Sequence, residues 1–482
     1  MSRGGILYFS LFLVLIPVLD SWGNKQEIVE ELLKRNGYTT GGIGVVIKDL
    51  ETDSVLVSVN SDSLFNPASV LKLLTSAAAL DILGPSYRFS TRVFIDSTFY
   101  SDSGVVDGNI YIQGRGDPGL NAQRLWLFVQ QLYHRGVRKI NGDLILDDFY
   151  FDTVSVGPGY TNTLTSRAYS PLISSLSANF SSVAIHKRSG QDIGSPVIVD
   201  IFPRIDGVTI KSTAKTTSPG LRSNLDVSTS SVSGQTQVNV RGVMSALDRP
   251  HYTYRKVWQT WEIFGGVIRD LFNGAGIEFN GQTLRERVPE SLEEEGAFYV
   301  FRSQPLIESV EAMLKYSSNF ASEMVLKTIS AEKNAIPGSW SGGVEVLREW
   351  WNKNEFPGEL VLNNGSGMGD VNRISADQIV NLLSYISQQR TYFPDLLSSL
   401  AIAGVDGTLD RRFRRSRLKG IVRAKTGTLN SLNVSTLAGY VLLEDRTYAF
   451  AILCNGIGNG QFDNWVMQEK ILESVSTGVR WN

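Results

Sequence analysis

The sequence has few of the side chains that metal and redox sites most often require. Its 482 residues include one cysteine, Cys454, and three histidines, His134, His186 and His251. One cysteine per chain excludes an internal disulfide framework, a cysteine zinc site and an iron–sulfur cluster. A Ser-His-Asp triad or a histidine-rich metal site would have to use those three histidines. The motifs H-E-x-x-H and G-x-x-x-x-G-K-[ST] are both absent, so neither a zincin helix nor a phosphate-binding loop is indicated.

Neither sign of charge is in excess, and no apolar run is long enough to cross a bilayer. The 46 basic and 48 acidic residues give a net charge of −2, which argues against a nucleic-acid partner. The apolar run 6–19 is shorter than the ~20 residues of a transmembrane helix. Because Arg3 precedes this run and the small residues Ser21 and Gly23 follow it, we predict a signal peptide over 1–23. The protein would then be periplasmic or secreted, without a stable membrane span. The alternative is a buried N-terminal helix.

The pattern of predicted helices and strands changes twice along the chain. Apolar residues make up 42%, enough for several packed cores, and the length predicts about three domains. Helical patterns and strongly apolar strands occupy 24–90 and 303–482, whereas short β-rich runs separated by Ser, Thr and Gly fill 91–302. We therefore predict an α/β domain formed by the two outer segments, with one or two β-rich domains inserted between them. The Ser/Thr-rich segment 212–233 is predicted to be a surface loop.

Two local patterns near the N-terminus predict a hairpin and a helix. The β-branched runs 42–47 and 55–59 flank a polar turn, which favours a β-hairpin. Asn66 is a favourable N-cap and Pro67 suits a first helical position, so a helix is expected from there to Leu83. Further helices are predicted at 121–135, 256–273, 305–330, 342–353, 375–390 and 462–475, and strong C-terminal strands at 436–443 and 448–453.

Ser69 and Lys72 form the motif S-x-x-K at the start of this predicted helix. Positions i and i+3 share one face of a helix, so the amine can lie beside the hydroxyl and take its proton. A free lysine, with a pKa of ~10.4, is a poor base until burial or nearby positive charge lowers that pKa. The backbone N–H of Ser69 lies in the first turn and can serve an oxyanion hole. Ser69 begins an apolar, capped helix, unlike the same spacing at Ser212–Lys215, Ser330–Lys333 and Ser416–Lys419.

Two further motifs follow along the chain. Ser317-Ser318-Asn319 matches S-x-N, a pattern that alone is typical of any helix surface and recurs at Ser58, Ser177 and Ser431. Lys425-Thr426-Gly427 is the single K-T-G and ends a strand-like run. Glycine in a strand permits close approach of a ligand to the backbone.

The three motifs, in this order, resemble those of penicillin-binding proteins and class A β-lactamases, with Ser318 where S-D-N has aspartate. The closer resemblance is to the D-alanyl-D-alanine carboxypeptidase/endopeptidase family with large inserted domains, peptidase family S13 or the low-molecular-mass class C penicillin-binding proteins. Two departures are Asn364, where that family usually has Asp, and Met368, where it has Leu. The resemblance extends to the stretches 65–69, 114–120, 364–368 and 403–409.

This resemblance implies a fold and a reaction. The fold would be an α/β (α+β) serine DD-peptidase/β-lactamase-like domain, in which helices flank an antiparallel sheet. The reaction would be acyl transfer to Ser69, with Lys72 as the general base and Ser317 passing a proton to the leaving amine. Asn319 would bind the substrate amide and hold Lys72 in place.

The resemblance also implies how the substrate is held. Lys425 would attract the terminal carboxylate and help to lower the pKa of Lys72, and Thr426 would hydrogen-bond that carboxylate. The backbone N–H groups of Ser69 and Thr428 would form the oxyanion hole. Peptidoglycan peptides would be the substrates and β-lactams covalent inhibitors, and no metal or cofactor would be needed.

Two other functions stay open at this point. One is a hydrolase of the same fold with another substrate, such as a β-lactamase or an esterase. The segment Glu359–Asn363 matches the E-x-x-L-N pattern that contains the deacylating glutamate of class A β-lactamases, but 360–362 is predicted to be a strand. The other is a non-catalytic wall-binding protein, which would not need the three intact motifs.

Overall fold

The computed structural model of the protein describes residues 22–38, 41–160, 165–202, 204–205, 207–334, 336–458 and 460–477. The predicted signal peptide therefore lies outside the described residues, apart from the last two positions, which begin the first helix. Within the described ranges, no helix is both long and apolar enough to cross a membrane.

The helices and strands follow one another along the whole described chain. The helices are α1 Trp22–Arg35, α2 Lys72–Leu83, α3 Ala122–His134, α4 Trp261–Ala275, α5 Glu290–Glu295, α6 Leu306–Leu314, α7 Asn319–Lys333, α8 Trp340–Lys353, α9 Ala376–Gln388, α10 Phe393–Ser399 and α11 Gln461–Thr477. Short 3₁₀ turns occur at Ala68–Leu71, Asn179–Ser181, Gly407–Leu409 and Asn430–Leu432. The strands are β1 Ile43–Asp49, β2 Ser54–Val59, β3 Ser90–Ile95, β4 Phe99–Tyr100, β5 Val105–Val106, β6 Ile110–Gly114, β7 Lys139–Ile140, β8 Leu144–Asp147, β9 Ser182–Arg188, β10 Ile198–Phe202, β11 Val208–Ser212, β12 Lys215–Thr217, β13 Asn224–Val232, β14 Gln235–Ser245, β15 His251–Lys256, β16 Glu278–Phe279, β17 Thr283–Arg285, β18 Tyr299–Arg302, β19 Ala401–Ile402, β20 Val422–Leu429, β21 Val434–Leu442 and β22 Thr447–Asn455.

The first and last parts of the chain build one six-stranded antiparallel sheet in the order β19-β20-β21-β22-β1-β2. Successive side chains of a strand point to opposite faces, and both faces of this sheet are covered. Along β22, Phe450 and Ile452 join the core formed with α1 and α11, whereas Ala449 and Ala451 join the core that contains α9. The predicted antiparallel sheet flanked by helices is confirmed.

The described part of the intervening segment contains four smaller sheets. Their strand orders are β17-β8-β6-β3-β18, β16-β7-β5-β4, β10-β9-β15 and β11-β14-β12, with β13 also pairing with β14. Most of the buried apolar side chains of this segment, from Val93 to Phe301 in the sequence, form a core of their own. Strands β3 and β18 pair with Ser90 opposite Arg302, so the chain enters and leaves this segment side by side. The domain limits at 90/91 and 302/303 stay a prediction.

Three local predictions are wrong. The predicted loop 212–233 contains β12 and β13, because threonine and serine form strands when alternate side chains are buried, as Val227 and Thr229 are. The predicted strand 360–362 makes only an isolated pairing of Val361 with Arg373. The predicted helix 305–330 is divided into α6 and α7.

The helix predicted to start at Asn66 begins later in the structure. The Asn66 side chain accepts a hydrogen bond from the Ala68 N–H at 2.9 Å, as a cap does, but Ala68 has a φ of 45°. This left-handed backbone, which costs a non-glycine residue ~1–2 kcal/mol, excludes a regular first turn. Ala68–Leu71 therefore forms a 3₁₀ turn, here called the Ser69 turn, and α2 begins at Lys72.

Candidate active site

The amine of Lys72 is the centre of the site. Lys72 is completely buried at the start of α2. Its Nζ donates hydrogen bonds to Ser69 Oγ at 2.9 Å, to Asn319 Oδ1 at 2.8 Å and to the Ser366 carbonyl at 2.7 Å. An ammonium group has three donors, so each has an acceptor here. The structure thus joins the S-x-x-K and S-x-N motifs, which are separated by more than two hundred positions.

Burial lowers the pKa of Lys72 to about 7, and the negative charge of Glu323 acts in the opposite direction. Burial disfavours the charged form of an amine, which explains the sign. A neutral amine keeps two N–H bonds, enough for Asn319 and Ser366, and gains a lone pair that can accept the Ser69 proton. The arrangement can therefore supply a general base at neutral pH.

Lys425 lies in the same cluster. It is completely buried on β20, and its Nζ donates to the Thr426 carbonyl at 2.6 Å. Burial holds the pKa of Lys425 well below its usual value, and the positive charge of Lys72 lowers it further. The two amines are thus close enough to repel each other, although they are more than 350 positions apart in the sequence.

Gly427 allows β20 to approach the Ser69 turn. A Cβ at this position would lie 2.1 Å from Thr436 Oγ1, 2.8 Å from the Pro67 carbonyl and 3.0 Å from Ala68 Cβ. Thr436 Oγ1 also donates to the Pro67 carbonyl at 2.7 Å, which ties the turn to β21. The glycine of K-T-G is therefore required by the packing of the sheet against the turn.

The S-x-N motif lies at the start of α7. Ser318 is the N-cap, and its hydroxyl accepts from the Ala321 N–H at 3.1 Å. Serine and aspartate are equally good N-caps, which accounts for Ser318 where the related motif has Asp. Half-buried Ser317 has a φ of 59°, so the chain turns sharply between α6 and α7. Asn319 Nδ2 donates to the Tyr169 carbonyl at 2.7 Å, while its Oδ1 accepts from Lys72.

Thr426 and Thr428 are half-buried on β20, beside Lys425. Thr426 Oγ1 donates to Thr408 Oγ1 at 2.8 Å, and Thr428 Oγ1 accepts from Gln461 Nε2 at 3.1 Å. Their predicted contacts with a substrate, like the proton transfer by Ser317, stay predictions. Thr408 was not singled out by the sequence, although it lies in the stretch 403–409.

The buried carboxylate of Glu323 is a second feature that sequence reasoning missed. It lies on α7, four residues after Asn319, and both of its oxygens accept hydrogen bonds. The four donors are the backbone N–H of Ser366 and the Tyr160 hydroxyl on Oε1, and the backbone N–H of Gly365 and Trp340 Nε1 on Oε2. The i, i+4 spacing from Asn319 was the available signal, because it places both side chains on one helix face.

Asn364, where the related family usually has Asp, is completely buried. Its Nδ2 donates to the carbonyls of Pro158 and Met368 at 2.8 and 2.9 Å. A carboxylate could not make these two donations, so the amide suits this loop. Across the described ranges, no group of three or more His, Cys, Asp or Glu side chains is arranged to hold a metal ion.

Comparisons with known proteins agree with this geometry. The model of the D-Ala-D-Ala carboxypeptidase 3 (S13) family matches residues 25–474. The chain belongs to this family. It is 30% identical over 447 residues to a D-alanyl-D-alanine carboxypeptidase of Actinomadura sp., covering 89% of this chain and 81% of the relative. The protein is therefore a serine peptidase, and the predicted family is confirmed.

The fold is also that of solved structures, among them a penicillin-binding protein and a peptidoglycan endopeptidase. Penicillin-binding protein 4 (DacB) of Haemophilus influenzae superposes with a TM-score of 0.78 at 24% identity, covering 92% of this chain and 98% of that one. The predatory peptidoglycan endopeptidase Bd3459 of Bdellovibrio bacteriovorus has a TM-score of 0.50 at 17% identity, covering 90% of this chain and 92% of that one. The predicted serine DD-peptidase/β-lactamase-like fold is confirmed.

Proposed function

We propose that this serine peptidase hydrolyses D-Ala-D-Ala bonds of peptidoglycan stem peptides, and the related bonds of cross-links, through an acyl-enzyme on Ser69. The single observation that supports this most is the buried Lys72 amine at 2.9 Å from Ser69 Oγ, with a pKa lowered to about 7. A serine hydroxyl becomes a useful nucleophile when a neighbouring base can accept its proton.

In the proposed acylation, Ser69 Oγ forms a bond to the substrate carbonyl carbon and its proton passes to Lys72. The C–N bond then breaks, and the leaving amine takes a proton through Ser317. The backbone N–H groups of Ser69 and Thr428 stabilise the oxyanion, and each such donor contributes about 10²–10³ in rate. Water hydrolyses the ester and regenerates Ser69.

Lys425 and Thr426 would bind the terminal carboxylate of the substrate. Burial favours the neutral form of Lys425 while the site is empty, whereas a bound carboxylate favours its charged form. Repulsion between the two amines is mutual, so a charged Lys425 lowers the pKa of Lys72. Carboxylate binding would in this way favour the neutral base just when substrate is present.

Three further parts of the proposal concern location and ligands. Peptidoglycan lies outside the cytoplasm, so the predicted signal peptide 1–23 and a periplasmic or secreted location fit this substrate. Penicillin would acylate Ser69, and the H. influenzae protein has also been solved in complex with a β-lactam. Cleavage of cross-links is included because the fold is shared with a peptidoglycan endopeptidase.

The β-lactamase alternative receives less support. Glu359 of the E-x-x-L-N match is exposed between α8 and α9, and its carbonyl accepts from Gln378 Nε2 at 3.1 Å. It is not among the groups hydrogen-bonded to Lys72, whose acceptors are named above. The matched carboxylate therefore does not reproduce a deacylating base next to Ser69.

The proposal is tested with wild type, Ser69→Ala and Ser212→Ala. Ser212 is the exposed serine of another S-x-x-K on β11, so Ser212→Ala controls for the motif alone. Each protein is incubated with labelled penicillin, and intact mass is measured; each is also given purified muropeptides, and D-alanine and cross-link release are quantified. We expect Ser69→Ala to lose both labelling and release by more than about 10³-fold, and Ser212→Ala to lose neither.

Each other outcome points to a specific alternative. Equal D-alanine and cross-link release by wild type and Ser69→Ala would refute the proposed nucleophile. Rapid turnover of nitrocefin instead of a lasting acyl-enzyme would favour a β-lactamase. Absence of both labelling and release in the wild type would favour a wall-binding protein.

A further inference from the structure

One of the three acceptors of the Lys72 amine is a main-chain carbonyl, that of Ser366, at 2.7 Å. A carbonyl in a loop needs neighbouring contacts to keep its direction. The N–H groups of Gly365 and Ser366 donate to Glu323 Oε2 and Oε1 at 3.0 and 3.1 Å. The peptide units beside the carbonyl are thus anchored to one carboxylate.

The same helix also holds a second acceptor of that amine. Asn319, one turn before Glu323 on α7, accepts from Lys72 directly at 2.8 Å. Residues at i and i+4 lie on one helix face, so α7 orients the amine twice: through Asn319 itself, and through Glu323 and the Gly365–Ser366 backbone.

We propose that Glu323 is a positioning residue for Lys72: its buried carboxylate holds the Gly365–Ser366 backbone so that the Ser366 carbonyl stays against the amine. The inference rests on the proposed function, because it takes Lys72 to be the base of acylation. Nothing in it requires Glu323 to touch the substrate.

A carboxylate, and not an amide, fits this position. Each oxygen of Glu323 accepts two donors, the second pair being the Tyr160 hydroxyl at 3.1 Å and Trp340 Nε1 at 2.9 Å. A glutamine has one carbonyl oxygen, and its NH₂ group would face two N–H donors or one N–H and one hydroxyl. A buried donor without an acceptor is costly, so the Gly365–Ser366 backbone would move.

The charges around Glu323 define the expected electrostatic effect. The charge of Glu323 acts on Lys72, and that of Lys72 acts on Lys425. The Tyr160 hydroxyl donates a hydrogen bond to Glu323 directly. Lys327, one turn further along α7, is neutralised by Asp152 at 2.7 Å. The Glu323 charge raises the pKa of Lys72 against the larger lowering by burial. Removal of that charge should therefore move the acidic limb of acylation to lower pH.

The experiment measures the pH dependence of Ser69 acylation by a chromogenic β-lactam in the full chain, with intact mass as a check on labelling. Glu323→Gln is expected to lower the midpoint of the acidic limb by about half a pH unit or more, and the plateau rate by about tenfold. Glu323→Asp keeps the charge but shortens the side chain. It is expected to lower the plateau by a similar factor and leave the midpoint in place.

Glu332→Gln is the matched control. Glu332 lies on the same helix and accepts from the Tyr150 hydroxyl at 2.6 Å, but it contacts neither the Gly365–Ser366 backbone nor Lys72. We expect neither the midpoint nor the plateau to change. A similar shift of the midpoint in Glu332→Gln would mean that any carboxylate on α7 affects the acylation profile. That result would refute a specific role of Glu323.

The outcomes separate this inference from the function on which it rests. If Glu323→Gln lowers thermal stability while the midpoint stays at the wild-type value, the electrostatic role is refuted. If Glu323→Gln does not fold, Glu323→Asp decides, because a wild-type plateau there would refute the positioning role. If the wild type is not labelled at Ser69, the proposed function is refuted, and the role of Glu323 in it is refuted with it.

Discussion

Lys72 shows how burial changes the chemistry of one side chain. An amine in a fully enclosed position loses its hydration, so the charged form is disfavoured and the pKa falls from 10.5 to about 7. The charged amine donates to three oxygen atoms, and the neutral amine still donates to those of Asn319 and Ser366 while its lone pair faces Ser69, so the amine stays in place in either protonation state. The residue therefore combines a fixed position with a proton affinity suited to neutral pH.

We predict that acylation of Ser69 rises with pH and levels off above about 7, the value to which burial lowers the pKa of Lys72. The sign follows from the base: below this pKa the amine is protonated, and the rate should fall about tenfold per pH unit. Lys72→Met should reduce the plateau by about 10²–10⁴ and flatten the profile. Stopped-flow acylation with a chromogenic β-lactam measures both.

The control for this prediction is Lys333→Met, which removes the exposed lysine of another S-x-x-K pair. It should leave the profile of the wild type unchanged. A rate that keeps rising toward pH 10 in the wild type would show an ordinary lysine pKa and contradict the prediction.

At the same scale, the sequence predicted some members of the site and missed others for a physical reason. Ser69, Lys72 and Asn319 belong to short motifs, and the structure brings them within hydrogen-bond distance. Ser366 contributes through its main-chain carbonyl, which every residue has. The spacing from Asn319 places Glu323 on the same helix face, but its partners, such as Gly365 42 positions away, depend on the fold, so the spacing alone did not identify its role.

Among the secondary-structure elements, the contact between β20 and the Ser69 turn matters most for the site. Gly427 faces the Pro67 carbonyl and Ala68 Cβ, and Thr436 holds that carbonyl from the neighbouring strand. The left-handed backbone of Ala68 lets the turn fit against the strand. Backbone strain of this kind persists only where the surroundings hold it, as they do beside Ser69.

We predict that Gly427→Ala separates β20 from the Ser69 turn. The new Cβ would meet the Pro67 carbonyl at 2.8 Å and Thr436 Oγ1 at 2.1 Å, so the strand or the turn must move. Overpacking of this kind costs about 1–3 kcal/mol of stability. A misplaced nucleophile should lower the acylation rate by about 10²-fold. Chemical denaturation and penicillin labelling measure the two effects.

Gly274→Ala is the control at this scale. Gly274 lies inside α4, and a Cβ there would have no neighbour within 4 Å. Because alanine favours a helix over glycine by about 1 kcal/mol, this variant should be as stable as the wild type or slightly more so, with unchanged labelling. If Gly427→Ala is labelled by penicillin as fast as the wild type, the close approach of β20 to the Ser69 turn is dispensable.

The elements differ in how well the sequence predicted them. The hairpin β1–β2 and the strands β21 and β22 have long β-branched or apolar runs, and all were predicted. Strand β13 was taken for part of a loop, because four of its nine residues are serine or threonine. The break between α6 and α7 was missed because the helical pattern of the sequence continues through it, whereas the backbone leaves the helical conformation at Ser317 and Ser318.

On the scale of the whole molecule, the predicted insertion is tied to the site by contacts of several kinds. Tyr150 and Phe151 belong to the core formed with α2, α6 and α7. Asp152 pairs with completely buried Lys327 at 2.7 Å. The Tyr169 carbonyl accepts from Asn319 at 2.7 Å. The insertion therefore contributes both to the catalytic core and to the orientation of a motif residue.

These contacts lead to a prediction about a shortened chain in which a short Gly-Ser linker replaces 91–302. Ser90 and Arg302 are paired neighbours on β3 and β18, so the linker can close without strain. The shortened chain would expose the core of α2, α6 and α7 and leave Lys327 without its counterion. Loss of a buried aromatic side chain such as that of Phe151 alone costs about 3–5 kcal/mol, a large part of a domain's ~5–15 kcal/mol.

We therefore expect the shortened chain to lose cooperative thermal unfolding, measured by calorimetry, and to lose at least about 99% of its penicillin labelling. The control is the full chain with the same linker inserted at Gly234, an exposed turn between β13 and β14 with open space around it. This insertion should change neither quantity. If the shortened chain instead unfolds cooperatively and is labelled like the wild type, the outer segments fold and act alone. The contacts of Asp152 and Tyr169 would then be dispensable.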